Sequence, residues 1–462
     1  MDQPPTVPAA AAWLFDRLAT FGDATALVHG GRPVSYRRLL ERANEWDRDL
    51  ADKGIGPGSV VLLEGTTSAG AVGLLLALLR RGAITVPVTP QASAARAEIA
   101  AIAEVGWQAR FTPTADGDES ATLVGAPRPV TAPLLQRLVR LGHPGLVLFS
   151  SGSTGTPKGV VHDWVALLGK FERPGKQKTT LSFLLFDHIG GLDTLFNTLA
   201  SGGTLVTIPA RDPDTVCAAI AMHGVHTLPT SPTFLNMLLL NGAHLRHDLS
   251  SLRLVAYGTE PMPASVLERL AESLPQVKLL QTYGLSELGV LRTRSREGTL
   301  WMQMTGEGYE TQIRDGVLWV RSRTSMLGYL NALDRFDADG WFCTEDAVEV
   351  DGDYVRILGR TSDLINVGGR KVYPAEVEEV LLDLPNVRDV AVFGRANPLT
   401  GQIVAARVNL LAPESLSDFK RRLRQFCKDR LPSYKVPVHV EFTDQDQFGA
   451  RMKKTRRSVV AS

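Results

Sequence analysis

An apolar run, Leu146-Val147-Leu148-Phe149, leads directly into Ser150-Ser151-Gly152-Ser153-Thr154-Gly155-Thr156-Pro157-Lys158-Gly159. No other stretch restricts the chain as strongly. The apolar run suits a buried strand. Glycines let backbone N–H groups approach phosphate oxygens closely, hydroxyls add donors, and a lysine adds a point charge. Ser150, Ser151, Gly152, Ser153, Thr154, Gly155 and Lys158 together therefore suit a polyphosphate. The order is not that of a Walker loop, which needs GxxxxGK followed by Ser or Thr. Here Lys158 follows Pro157 and precedes Gly159, which argues against a Walker-type ATPase or kinase.

Composition narrows the class further. The chain has 462 residues, enough for two or three domains. Its 50 basic against 49 acidic side chains leave a net charge of +1, so neither nucleic acid nor an anionic membrane is an expected partner. Cys217, Cys343 and Cys427 are widely spaced, with no CxxC pair. They read as reduced thiols of a cytoplasmic protein. The N-terminus lacks the basic start of a signal peptide. The most apolar run is broken by Arg80 and Arg81 before it could span a bilayer. It reads as a buried helix followed by a strand, with no membrane insertion.

Helical patterns alternate with short apolar runs such as Leu181–Leu185, Thr204–Ile208 and Leu252–Ala256. The stretch Ala264–Leu274 enters through Pro263 and ends before Pro275, as a helix should. Such alternation predicts a layered α/β architecture with mainly parallel sheets. Gly316–Tyr354 is richer in strands and turns and predicts a small β-barrel-like element. Beyond Gly359-Arg360 the texture changes again, with helices expected at Pro374–Leu384 and Ser417–Arg430. The expected division is a large N-terminal domain over residues 1–360 and a small, mobile α+β C-terminal domain over residues 361–462.

The loop ending in Pro157-Lys158-Gly159 resembles the signature of the adenylate-forming superfamily, which includes acyl-CoA synthetases, adenylation domains and luciferases. Further motifs follow in the same order. Ala256-Tyr257-Gly258-Thr259-Glu260 looks like the strand-end turn beside the adenine and acyl pockets. Tyr283-Gly284-Leu285-Ser286-Glu287 is similar to the YGxTE element, with Ser286 replacing Thr as a phosphate contact. Trp341-Phe342-Cys343-Thr344-Glu345-Asp346 resembles GW(F/Y)xTGD, with Glu345 in place of Gly. The resemblance implies ATP as substrate, Gly258, Thr259, Tyr283, Asp346 and Arg360 around adenine and ribose, and Glu287 as a ligand for Mg²⁺. It also implies a hinge at Ser362 and a thiol tunnel near Gly368 and Gly369.

The C-terminal motif departs from the usual GKxxRR, reading Gly449-Ala450-Arg451-Met452-Lys453-Lys454-Thr455-Arg456-Arg457. Alignment on the arginine pair makes Lys453 the catalytic cation. A one-residue shift selects Lys454, and alignment on Gly449 selects Arg451. Lys453 is the reading adopted, with Lys454 and His188 as further catalytic candidates. Asp187, His188, Tyr257 and Gly284 are expected around the acyl group. Phe186-Asp187 also fits a site holding a substrate amine, so the acid stays open. The reaction implied is activation of a small carboxylic acid to an acyl-adenylate, then transfer to the thiol of CoA. The alternative acceptor is the phosphopantetheine of a free carrier protein. An inactive acyl-binding homologue is a third reading, supported only by the altered lysine motif. Either a monomer or a homodimer is compatible.

Overall fold

The structure is a computed structural model that describes residues 9–113, 119–151, 156–449 and 451–454. Two seven-stranded sheets form the layers of the large domain. One runs, in spatial order, Lys278–Gln281, Leu254–Tyr257, Thr227–Thr230, Thr179–Leu181, Thr204–Val206, Thr25–His29 and Arg32–Ser35. Its neighbours are parallel except for the last pair, an antiparallel hairpin. The other sheet runs Gly328–Tyr329, Pro157–Asp163, Gly145–Ser151, Ile84–Val88, Val60–Glu64, Trp107–Pro113 and Glu119–Gly125. Its centre is parallel.

The apolar run expected as helix then strand is the helix Ala69–Arg80, buried from Ala71 to Leu79, followed by Ile84–Val88. Ser68 caps that helix by accepting from the Ala71 N–H at 3.1 Å. The first expected strand lies earlier than its apolar run, at Thr179–Leu181, the segment in register with Thr204–Val206. No helix among the described residues is long and apolar enough to cross a membrane.

The β-rich region is wider than expected. It is a six-stranded antiparallel sheet from Thr293–Ser295 at one edge to Tyr309–Arg314 at the other. Among the described residues those edges do not pair, so it is an open sheet rather than a barrel. After it, the turn Thr361–Asp363, which contains Ser362, leads into a third layer. That layer is a five-stranded sheet with the helices Pro374–Leu382 and Leu416–Cys427. It has its own apolar core around Val390, Val404 and Phe419. Gly368 and Gly369, at φ +58° and +83°, form the tight turn between Ile365–Val367 and Arg370–Val372. They are exposed.

Candidate active site

The strand Gly145–Ser151 carries Ser150 to the point where the glycine-rich loop begins, and Pro157–Asp163 returns antiparallel with Ser150 opposite Lys158. Gly152, Ser153, Thr154 and Gly155 lie outside the described residues, as does the Ser151 side chain. The returning strand is clamped by Asn331, whose carbonyl oxygen accepts from the Gly159 N–H at 3.0 Å and whose amide donates to Pro157 O at 2.9 Å. The Lys158 ammonium lies 5.9 Å from the centre of the Tyr329 ring, within cation–π range.

Ser286 and Glu287 occupy the tip of the hairpin Tyr283–Leu285/Gly289–Leu291. Two side chains distant in sequence pin that tip. His162 Nε2–H donates to Ser286 O at 2.6 Å, and the Tyr329 hydroxyl donates to Glu287 Oε1 at 2.6 Å. The hairpin therefore presents a hydroxyl and an oriented carboxylate beside the paired strands Pro157–Asp163 and Gly328–Tyr329. Among the described residues no cluster of three or more metal-ligating side chains exists. A single carboxylate completed by nucleotide phosphates and water fits Mg²⁺, which binds few protein groups. Glu287 fits that role.

Asp346 is 6% exposed and accepts from the Tyr283 hydroxyl at 2.6 Å, with Arg360 Nε 3.4 Å from its other oxygen. Burial pushes the Asp346 carboxyl above its ordinary value, while the Arg360 charge and the Tyr283 hydrogen bond pull it back. Burial and the adjacent Asp346 hold the Tyr283 hydroxyl protonated. Tyr283 was expected to offer its face to adenine. Its ring is 7% exposed and packed in the core, so it orients Asp346 instead. Glu345 stands at φ +61°, the left-handed conformation a glycine would adopt, and its carboxylate pairs with Arg335. The turn thus survives the substitution at a cost of roughly 1–2 kcal/mol in backbone strain.

A cavity of about 240 Å³ opens below these elements, lined by His188, Gly258, Thr259, Thr282 and Gly284. Tyr257, expected in its wall, is absent from it. Strand alternation turns Leu254, Ala256 and Gly258 toward the cavity and Tyr257 into the core behind. Asp187 lies apart from this cavity lining. It is 7% exposed, accepts from the Thr89 hydroxyl at 3.2 Å, and has Arg451 at 3.8 Å. Its Oδ1 is buried without a partner.

His188 caps the helix Ile189–Ala200: its Nδ1 accepts from the Gly190 N–H at 3.1 Å. That bond places the ring proton on Nε2. Burial, with the charges of Arg451 and Lys453 behind it, lowers its pKa to about 3. Burial likewise lowers His162 to about 4, partly offset by the bond to Ser286. Both rings are neutral near pH 7, and His188 stands as the helix cap and part of the pocket wall. The sign of the stability effect follows. The unfolded chain takes up these protons near pH 6.5, and the folded chain only at lower pH. Acid therefore favours unfolding as pH falls from about 6.5 toward 4, with a slope up to ~1.4 kcal/mol per pH unit for each ring. Denaturant midpoints from pH 7.5 to 5 should fall, and His162→Gln should flatten that fall.

The C-terminal segment enters the same space as a hairpin. Phe448 pairs with Lys454, and the Gly449 N–H donates to Lys453 O at 3.1 Å. Met452 is buried at φ +51°, and its carbonyl accepts from the Ser231 hydroxyl at 2.6 Å. That leaves Arg451 at the tip. Its guanidinium donates to Phe149 O at 3.1 Å, at the root of the phosphate loop, and faces Asp187. The charge of Lys453 reaches both His188 and Asp346. Lys454 turns the other way, its ammonium 2.8 Å from Val390 O and 3.1 Å from Asp389. Its backbone N–H donates to Glu260 at 2.9 Å. Glu260 also accepts from the Thr233 N–H at 2.8 Å. Lys454 is thus corrected from catalytic candidate to anchor of the hairpin. Sequence reasoning missed His162, Tyr329 and Asn331, whose partners lie far away along the chain.

Comparison with known proteins is consistent with this geometry. Residues 14–330 match the family model described as AMP-binding enzyme, and residues 376–457 match the AMP-binding enzyme C-terminal domain. A 2-succinylbenzoate–CoA ligase of Geobacillus kaustophilus is 28% identical, over 97% of this chain and 96% of its own. A feruloyl-CoA synthase of an Amycolatopsis species is 28% identical, over 94% and 95%. The structure of an o-succinylbenzoate CoA synthetase from Bacillus subtilis, bound to its acyl-adenylate, superposes with a TM-score of 0.78 at 24% identity, covering 98% of this chain and 97% of that one.

Proposed function

The chain belongs to the AMP-binding enzyme family, and on that footing we propose that it is an AMP-forming acid–thiol ligase that joins an aryl or similar ring-bearing acid to CoA. The observation that carries this reading is the delivery of Arg451 from the C-terminal hairpin to the root of the phosphate loop, beside Asp187. A cation placed there meets the α-phosphate of a nucleotide whose ribose is held by Asp346. The relatives named for CoA ligation of aromatic acids support the substrate class and the acceptor.

In the first half-reaction a carboxylate oxygen attacks the α-phosphorus of ATP, and the bond to the bridging oxygen of pyrophosphate breaks. Lys158, Ser150 and Ser286 hold the leaving phosphates. Glu287 would hold Mg²⁺, and the charge neutralisation that ion would supply falls on the phosphates. Arg451, with Lys453 behind it, balances the charge growing on the α-phosphate. The donors are fixed in place beforehand, which is what makes such groups effective. In the second half-reaction a thiolate sulfur attacks the acyl carbon and AMP leaves. The turn at Ser362 lets the C-terminal layer swing, which requires release of the Lys454–Glu260 and Ser231–Met452 hydrogen bonds. Gly368 and Gly369 then come to the thiol path.

The test is exchange of labelled pyrophosphate into ATP with a panel of aromatic, alicyclic and aliphatic acids. Exchange that depends on a ring-bearing acid, followed by thioester formation with CoA, is expected. Exchange with no acid contradicts the reading, and transfer only to a holo-carrier protein replaces the acceptor.

A further inference from the structure

The C-terminal layer meets the large domain across a cavity of about 710 Å³. Glu260, Pro263 and Arg356 line it from the large domain, and Glu379, Asp389 and Lys454 from the other side. Two polar bridges cross beside this void. One is the Lys454 N–H on Glu260, described above. The other is made by Glu379, on the helix Pro374–Leu382 that follows the turn Thr361–Asp363. Its Oε1 accepts from the Ala264 N–H at 3.2 Å, and its Oε2 lies 3.5 Å from the Arg356 guanidinium. Both partners belong to the large domain. The helix Ala264–Ser273 starts after Pro263 and has no side-chain cap of its own. Its first N–H is satisfied instead by a carboxylate from beyond the turn, which also meets the positive end of the helix. Arg356 stands on the strand Tyr354–Arg360, which runs into that same turn. Arg356 and Glu379 therefore straddle Ser362, and a swing about Ser362 pulls Glu379 away from both partners.

We infer that Glu379 is a positioning residue: it latches the C-terminal layer in the orientation that brings Arg451 to the phosphate loop, and its release sets how readily the layer swings toward thiol transfer. The connection to Arg451 is continuous. The helix bearing Glu379 packs on the strand Val387–Asn397. Asp389 and Val390 of that strand hold the Lys454 ammonium. Lys454 closes the hairpin whose tip is Arg451. The side chains of Glu379 and Arg356 are 26% and 35% exposed, so water screens part of their attraction. A helix cap and a partly exposed ion pair together are worth about a tenfold shift between the latched and swung orientations. The inference rests on the adenylation reading and on the hinge at Ser362.

Hydrogen exchange of the ligand-free full chain tests the latch without any acid. In Glu379→Ala, amide exchange should quicken about tenfold at Ala264 and also at Lys454, whose N–H is held on the opposite wall by Glu260. Glu379→Gln keeps an acceptor for Ala264 but loses the charge facing Arg356, so its effect should be smaller. Loss of a helix cap alone quickens exchange at Ala264 and leaves Lys454 unmoved; that result, or no change at either amide, overturns the inference. The second arm separates the half-reactions, using the acid that exchanges pyrophosphate fastest in the panel above. The rate of thioester formation from isolated acyl-adenylate and CoA, divided by the single-turnover rate of adenylate formation, should rise about tenfold in Glu379→Ala. A general folding defect lowers both rates and leaves their ratio in place. A ratio that stays or falls overturns the inference, while pyrophosphate exchange leaves adenylation intact. Exchange with no acid overturns the adenylation reading, and the role of Glu379 in it, whatever the amides show.

Discussion

Arg451→Ala is expected to slow acyl-adenylate formation by about 10²–10³-fold, the usual loss when one fixed charge-stabilising donor is removed. The hairpin itself should persist, because Met452 and Lys454 hold it through Ser231, Glu260 and Asp389. Arg451→Lys should recover part of the rate, since a lysine restores the charge but not the planar guanidinium whose one terminal nitrogen meets both Phe149 O and Asp187. Lys453→Ala should cost less, because Lys453 is exposed and water screens its charge. Single-turnover formation of the adenylate, measured for all three variants, gives the order directly. If Lys453→Ala is the slowest and Arg451→Ala is near the unsubstituted rate, the assignment of the tip is wrong.

Asp346→Asn should raise the KM for ATP and lower kcat/KM about 100-fold. A buried carboxylate can accept two charge-assisted hydrogen bonds from ribose hydroxyls, each worth about 1.5–3 kcal/mol. The substitution also removes the negative charge facing Arg360 and leaves the Tyr283 hydroxyl against an amide. Arg360 is 40% exposed, so water compensates part of its loss and the fold should tolerate the change. The informative readout is the split between substrates: ATP affinity should fall while affinity for the acid, whose cavity Asp346 does not line, stays within about twofold. An equal loss for both substrates contradicts a ribose role.

A candidate site stands out along the chain where function demands a composition and is obscure where it demands a tertiary position. The phosphate loop and the Tyr-Gly-Leu-Ser-Glu run announce themselves because glycines, hydroxyls and one charge must sit together along the chain. The C-terminal cation does not, because Arg451, Lys453 and Lys454 offer the same charge within four residues. Only the pairing of Phe448 with Lys454 decides which of them stands at the tip. Matching the arginine pair selects Lys453, whereas the hairpin brings Arg451 against Phe149 O. Tyr257 was misplaced for a simpler reason. It sits one residue before Gly258, and in a strand that single step reverses the face. His162, Tyr329 and Asn331 meet Ser286, Glu287 and Gly159 across 124, 42 and 172 residues, distances over which sequence pattern carries no contact information. The Glu345 substitution looked like a weakened turn. The structure instead shows glutamate held in the left-handed region, with Arg335 as its partner.

The layered fold was better served by periodicity. The runs Ala69–Arg80 and Ala264–Ser273 show their helical character locally. The open antiparallel sheet was read too narrowly because Thr293–Ser295 and Met302–Met304 are three residues each, too short to display an alternation.

The central claim is that a carboxylate oxygen attacks the α-phosphorus of ATP. The direct test is an acid labelled with oxygen-18 in both carboxylate oxygens, turned over with ATP and CoA and analysed by mass spectrometry. One labelled oxygen per turnover should appear in AMP, because the bond formed to the α-phosphorus is retained when the thiol displaces it from the acyl carbon. Label in inorganic phosphate accompanied by ADP, or unlabelled AMP, contradicts the account.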